Sequence, residues 1–276
     1  MSKEQRRVEW SLDLEHLRVR AGQLVSETMS GSAETKTASL SEARKDAVSA
    51  TIDIAFPVGQ ASVRALEAGA PNLFEAELTY VGEYEFAVSG GAERVISLRQ
   101  KAGAAGEIGA LAGKAKDLRW DIALARNLPI RLSMAGGVGE ADFDLSGLRL
   151  DALRLETGVG KVRVMLPAPG SPLVAAIRGG VGMTEVALLP GAFGVLDIKG
   201  GLGGVRLIVS QAIEARVEAK SGLGAIDLAE RFLRVSGEKR TKSLLVWQTA
   251  DYVDAEQAML IRYSGGVGRF GLETSE

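Results

Sequence analysis

The chain carries the stretch Gly158-Val159-Gly160-Lys161-Val162-Arg163-Val164, in which two glycines enclose a valine and apolar residues then alternate with charged ones. Alternation with a period of two is typical of a strand that buries one face. The same Gly-x-Gly step recurs, with its first glycine at Gly137, Gly180, Gly201, Gly222 and Gly266. Successive steps lie 21 or 22 residues apart, except for a last interval of 44, which we interpret as two units.

This repeat predicts an all-β fold, a parallel β-helix in which each unit of 21 or 22 residues forms one rung. Solenoids of helix pairs have longer units, and a glycine pair is suited to the corner between two strands, where a Cβ is costly. Six places after the first glycine every unit has an apolar residue. We expect these side chains to stack inside the coil: Phe143, Val164, Val186, Leu207, Leu228 and Leu272.

One outward position of the unit, compared from rung to rung as a column, provides an independent test of this register. Five places after the first glycine the residues are Asp142, Arg163, Glu185, Arg206 and Asp227, so that the sign of the charge alternates from unit to unit. Equivalent positions of stacked rungs lie about 4.8 Å apart, where opposite charges attract and like charges repel. The charge pattern therefore favours the same stacking as the glycine pattern.

The chain divides into an N-terminal segment, residues 1–46, and a β-helix domain, residues 47–276. At this period the domain holds about ten rungs. Several of them are irregular: one at Val58–Val63, those that contain the strand-like runs Phe74–Tyr80, Tyr84–Val88 and Arg94–Leu98, and one at Leu244–Trp247, which lacks the glycine step. In the N-terminal segment an apolar stripe at helical spacing predicts a short amphipathic α-helix over residues 10–29, and the polar residues after it predict a linker. The alternation at Val8, Trp10, Leu12 and Leu14 leaves a strand as the alternative for the start of this segment. The stripe contains Trp10, Leu14, Leu17, Ala21 and Leu24.

The stretch from Leu128 to Gly160, with its two glycine steps, resembles the bacterial toast-rack domains. The stretches Asn72 to Tyr80 and Tyr263 to Gly268 share this resemblance, which extends over residues 50–276. It implies a right-handed β-helix and brings no catalytic residues. For the LiaF-like members, which regulate the response to envelope stress, it implies a membrane-linked role in sensing cell-wall antibiotics. This chain lacks the transmembrane helices of those members.

The composition excludes several classes of function. The chain has 33 basic and 35 acidic residues without a long basic block, which disfavours nucleic-acid binding. The absence of cysteine rules out thiolate nucleophiles, and His16, the single histidine, cannot supply a multi-histidine metal centre. We therefore expect no catalytic residue, no cofactor and no metal. No apolar run is long enough for a leader peptide or a membrane span, so we expect a cytoplasmic protein.

Three carboxylates invite comparison with a glycosidase. Glu140, Asp142 and Asp144 alternate along one strand, and neighbouring members lie about 7 Å apart, as in an inverting enzyme. However, Asp142 faces Arg163 and Glu140 faces Lys161 in the predicted stack, which keeps both carboxylates ionised and leaves no general acid. We interpret them as surface charges.

A second outward column is apolar. Seven places after the first glycine come Met165, Ala187, Ile208 and Ala229, following Asp144. Either the strand bends there and the column joins the core, or a partner or the N-terminal helix covers it. We expect that helix to cap the first rung or to pair with a second copy. Two other options are that it lies on Met165 and Ile208 or that it contacts a membrane surface, which its acidic residues disfavour.

Three functions remain open from the sequence. The first is a non-enzymatic binding or regulatory scaffold for a protein partner, linked to bacterial cell-envelope stress. The second is a β-helix that self-assembles through its end strands. The third, a polysaccharide-active enzyme, is disfavoured. We expect the first. Its predicted interaction surface comprises Trp10, Leu14, Leu17, Leu24, Met165 and Ile208.

Overall fold

The computed structural model describes residues 34–56, 58–101, 115–168, 170, 172–220, 222–236 and 244–276. All regular secondary structure in these ranges is β-strand. The predicted helix over residues 10–29, with Trp10, Leu14, Leu17 and Leu24, and also His16, lie outside the described residues. The strands are β1 (Lys36–Ala43), β2 (Ser49–Ala55), β3 (Val58–Ala65), β4 (Asn72–Tyr80), β5 (Tyr84–Ser89), β6 (Glu93–Gln100), β7 (Arg119–Leu124), β8 (Pro129–Ala135), β9 (Val138–Asp144), β10 (Arg149–Glu156), β11 (Val159–Leu166), β12 (Leu173–Arg178), β13 (Val181–Leu188), β14 (Gly194–Lys199), β15 (Leu202–Ser210), β16 (Ala215–Lys220), β17 (Ile226–Leu228), β18 (Leu233–Ser236), β19 (Leu244–Gln248), β20 (Met259–Ser264) and β21 (Phe270–Ser275).

The strands form two sheets. The first sheet has the order β1-β4-β7-β3-β9-β11-β13-β15-β21-β17, and the second has the order β18-β19-β16-β20-β14-β12-β10-β8-β2-β6-β5. A rung consists of one strand of the second sheet, a corner and one strand of the first. β10 and β11 form such a rung around the step Gly158-Val159-Gly160, so the glycines stand at corners as predicted. The described residues contain eight such rungs, all parallel, instead of about ten.

Inside and outside follow the predicted alternation. In the parallel register Phe143 lies beside Val164, which lies beside Val186, and Leu207 follows. These four side chains are buried, as is Leu272, while Leu228 is partly buried. The interior between the two sheets is one continuous apolar cluster, in which Phe56 stacks on Phe143 with a distance of 5.5 Å between ring centroids.

The order of the rungs along the stack differs from their order in the sequence. The rung of β20 and β21 lies between that of β14 and β15 and that of β16 and β17. Near the other end, the rung of β2 and β3 lies between that of β6 and β7 and that of β8 and β9. The interval of 44 residues therefore does not span two successive rungs. Instead, the chain forms the outer rung and returns to fill the place before it.

Antiparallel strands close the stack where further rungs were predicted. Leu244–Trp247 belongs to β19, which pairs antiparallel with β16 at the end of the second sheet. At the other end β4 and β5 pair antiparallel with β7 and β6. A repeat of apolar residues with a period of two predicts a strand but does not fix its direction.

The linker prediction is corrected over Lys36–Ala43. These residues form β1, which pairs antiparallel with β4, so the sheet domain begins before residue 47. Ala38 and Leu40 pack against the core, and Ser39 points outward, where its hydroxyl donates a hydrogen bond of 2.6 Å to Glu77. The small size of these residues is typical of a linker, but their alternation places one apolar face on the sheet.

Candidate binding surface

The predicted column of charges crosses the first sheet. The register places Asp142, Arg163, Glu185 and Arg206 side by side in that order. Asp142 and Arg163 lie 3.9 Å apart and Glu185 and Arg206 lie 3.4 Å apart. The next neighbour of Arg206 is Gly271 of the inserted β21, not the predicted Asp227.

The candidate carboxylates of a glycosidase lie on the open outer face of β9. Asp142 is well exposed next to Arg163. Asp144 accepts hydrogen bonds from the hydroxyl of Ser146 at 2.5 Å and from its backbone amide at 3.1 Å. Both side chains are exposed and have partners of their own on the surface, an arrangement typical of surface charges and not of a general acid held in a cleft.

Among the residues that the structure describes, three other carboxyl groups, those of Asp121, Glu156 and Glu273, have a lowered pKa, each because of an arginine. Burial raises the pKa of Asp121, but hydrogen bonds from Arg119 and Ser62 oppose this, and the pKa is lowered overall. A hydrogen bond from Arg154 lowers the pKa of Glu156. These pairs stabilise negative charge, which is the opposite of what an acid catalyst requires.

No group of three or more potential metal-ligating side chains occurs among the residues that the structure describes. In the same residues, no helix is long and apolar enough to cross a membrane.

Exposed aliphatic side chains line the corner between the sheets. Each is the residue between the two glycines of a step, and each is 46–70% exposed. Parallel pairing places them on consecutive rungs, and we call this row the corner ladder. In spatial order it consists of Val138, Val159, Val181, Leu202, Val267 and Leu223.

The glycines let the backbones of neighbouring rungs pack directly against each other at the ladder. A Cβ at Gly160 would stand 1.8 Å from the carbonyl oxygen of Gly139, and one at Gly158 would stand 1.7 Å from that of Gly137. The rungs are therefore in direct backbone contact at the corner. Because glycine stands directly before and after each ladder residue, the valine or leucine has no side chain adjacent to it in the sequence.

Met165 and Ile208 lie on the outer face, whereas Ala229 at the end of the same column packs against the core, so the interior alternative does not hold for Met165 and Ile208. Met165 is exposed between the buried Val164 and Leu166, and Ile208 is partly exposed. Glu273 of the inserted β21 lies next to Ile208 and interrupts the predicted apolar column. Met165 is six residues beyond Val159, about 20 Å along the strand, and thus belongs to a separate surface from the corner ladder.

The corner ladder was not identified from the sequence, although a signal was present. Each ladder residue comes one place after the first glycine of its unit, and each outward charge comes five places after it. Both offsets are odd. The same alternation that placed Arg163 outside therefore places Val159 outside as well.

A family model and one solved structure agree with this architecture. The family model described as the N-terminal domain of toast_rack, DUF2154, matches residues 28–187. A crystal structure from Clostridium sporogenes, named as a candidate cell adhesion protein, matches with a TM-score of 0.60 and 18% identity, covering 88% of this chain and all of that one. A candidate adhesin from Bacteroides fragilis matches with a TM-score of 0.34 and 13% identity, covering 87% of this chain and 98% of its own. Among curated proteins, none matches the chain.

Proposed function

The chain belongs to the toast-rack family, and from that premise we propose that it is a non-enzymatic binding scaffold whose corner ladder holds an apolar segment of a protein. The observation that carries the proposal is the row of six exposed aliphatic side chains on consecutive rungs. A contiguous apolar surface on a rigid backbone is typical of a protein-binding site.

The geometry of the ladder favours an elongated partner segment. Its six residues span five strand spacings, about 24 Å, which equals about 16 residues of helix. Such a helix would place one apolar side chain against the ladder at nearly every turn. Flat surfaces of a globular partner would meet only a part of this narrow row.

We propose cell-envelope stress signalling as the setting, by analogy with the LiaF-like members that the sequence resembles. The protein partner would then be a signalling component, the chain would act in the cytoplasm, and membrane contact would be indirect. Adhesion between cells is the setting that the name of the Clostridium sporogenes protein suggests. Both settings use the chain as a binding scaffold without catalysis.

Self-association is a second candidate, favoured by one edge strand. β18 is the last strand of the second sheet, and its residues Leu233 and Val235 are exposed. An apolar edge strand can pair with the edge of another copy. Leu233→Lys with Val235→Lys should then reduce a concentration-dependent oligomer to monomer in light scattering, and an unchanged mass would exclude this edge.

The binding proposal is tested by photo-crosslinking in the cells that produce the chain. A benzoylphenylalanine at Val181 should give one discrete adduct with another protein, and the Val159→Asp substitution in the same chain should abolish it. The same photo-reactive residue at Val253, an exposed valine away from the ladder, is the control. Equal adducts at both positions, or none at Val181, would overturn the proposal.

A further inference from the structure

We infer that residues 10–29 of this chain lie along the corner ladder as its resident occupant, which a partner must displace. The inference rests on the proposed function, because it names what covers the same surface. It would make the N-terminal segment an internal competitor of the partner.

The first described residues lie at the same edge of the first sheet as the ladder. The register runs across the first sheet through Thr37, Thr79, Arg119, Gln60 and Glu140. Thr35 precedes Thr37 by two residues, and Val138 precedes Glu140 by two residues. Both therefore stand at the corner, on different strands of one sheet, and the N-terminal segment joins the domain at the edge that carries the ladder.

The connecting residues are long enough. From residue 29 to Glu34 the chain can extend about 17 Å. β3, the strand before the ladder, lies three strand spacings from β1, which is about 14 Å. The end of the segment can thus reach β3, the neighbour of β9, whose Val138 is the first residue of the ladder.

The predicted helix also matches the ladder in length and chemistry. Twenty helical residues are about 30 Å long, against about 24 Å for the ladder. The helix would bring Trp10, Leu14, Leu17, Ala21 and Leu24 along one face. Both surfaces are uncharged, and the flanking glycines let a helix approach the aliphatic side chains closely. Docking therefore removes two apolar surfaces from water at once.

The spacing predicts which residues meet. Leu24 and Leu14 are ten residues apart, about 15 Å along a helix. Val159 and Val267 are three strand spacings apart, about 14 Å. With the end of the helix at β3, Leu24 lies about 8 Å further along, close to Val159, and Leu14 lies close to Val267.

Disulfide trapping in the full chain tests this pairing, and the absence of native cysteine makes the introduced thiols unique. The matched variants are Leu24→Cys with Val159→Cys, and Leu14→Cys with Val267→Cys. The controls exchange the partners: Leu24→Cys with Val267→Cys, and Leu14→Cys with Val159→Cys. Matched pairs should form an intramolecular disulfide about ten-fold more than exchanged pairs, because docking raises their effective concentration.

Every other outcome of the trapping overturns the inference. Thiols that stay reduced mean that the segment does not occupy the ladder, and equal trapping in matched and exchanged pairs means contact without docking. A disulfide between two chains means that a second copy is the occupant. If the matched pairs stay reduced while the photo-adduct at Val181 persists, the inference fails and the proposed function stands. If the pairs are trapped but no adduct forms, the proposed function fails.

Limited proteolysis provides an independent readout. The double substitution Val159→Asp with Val181→Asp should undock the segment and raise the rate of trypsin cleavage after Arg18 and Arg20 about ten-fold. Met165→Asp, which changes an exposed apolar residue away from the ladder, should leave the rate unchanged. Equal rates in the ladder variant and the wild type would overturn the inference.

Discussion

Gly182, the second glycine of its corner, has a φ of 127° and lies against the carbonyl oxygen of Gly160. A Cβ at this position would stand 2.0 Å from that oxygen, and the backbone could relieve the overlap only by separating two rungs. We expect Gly182→Ala to lower the free energy of unfolding by at least about 3 kcal/mol, as measured by urea denaturation.

Gly271→Ala is the matched control for this prediction. Gly271 lies in β21 with no atom within 4 Å of its hypothetical Cβ, so alanine should change stability by less than about 0.5 kcal/mol. Similar losses for both substitutions would mean that the corner glycines are not in backbone contact.

Glu156 predicts a dependence of stability on pH. It accepts hydrogen bonds from Arg154 at 2.7 Å and from Arg178 at 3.2 Å. The bond from Arg154 lowers its pKa, burial opposes this, and the charges of both arginines add to it. Because the pKa is lower in the folded state, ionised Glu156 stabilises the fold above its unfolded pKa. That contribution is lost as the pH falls through the folded pKa.

Glu156→Gln should therefore be less stable than the wild type at neutral pH, by less than about 1 kcal/mol because the pair is partly exposed. The difference should vanish in acid, below the folded pKa of Glu156. Thermal unfolding of both proteins across the acidic range measures this. A difference that is constant at every pH would show that the charge of Glu156 is not involved.

The place of a side chain within a rung could be predicted from the sequence. The position of Val186 inside and of Arg163 outside follows from the alternation after each glycine, which is a local property. The outward position of Val159 follows from the same rule. Its exposure does not follow from the corner interpretation alone, because glycines at a corner set the backbone and not what covers the residue between them.

At the scale of the strands, the insertion of β20 and β21 could not be predicted from the period. Equivalent offsets in two units fix where a residue lies in a rung, but not which rung is its neighbour. One electrostatic signal was present. In sequence order Asp197 of β14 would face Glu218 of β16, whereas the inserted β20 places Arg262 between them.

Arg262 carries a prediction about this insertion. It lies 3.6 Å from Asp197 and 3.8 Å from Glu218. Arg262→Glu would place three carboxylates in a row on adjacent strands, and we expect a loss of about 1 kcal/mol that partly recovers in high salt, because screening weakens repulsion between exposed charges. Urea denaturation at low and high salt measures both effects.

Arg262→Gln separates lost attraction from added repulsion. It should cost less than Arg262→Glu and should not be rescued by salt. If Arg262→Glu is no less stable than Arg262→Gln at low salt, Arg262 does not lie between the two carboxylates and the rung order is wrong.

At the scale of the whole molecule, the two out-of-order rungs tie each end of the stack to distant parts of the chain. In the described part of the chain, the strand pairing that joins β16 and β17 to the preceding rungs runs through β20 and β21. Together with the continuous apolar interior, this arrangement supports a rigid body on which the corner ladder is a fixed row. A row of fixed spacing can select a partner segment by its length and periodicity.

Methionine oxidation tests most directly the central claim that protein covers the corner ladder. Met183 lies two residues after Val181 on the same face and is 44% exposed, and Met165, away from the ladder, is 40% exposed. Without a cover, a mild oxidant should convert both to sulfoxide at similar rates. In the cells that produce the chain, we predict that mass spectrometry finds Met183 oxidised several-fold more slowly than Met165. Equal rates of oxidation at the two methionines would contradict the account.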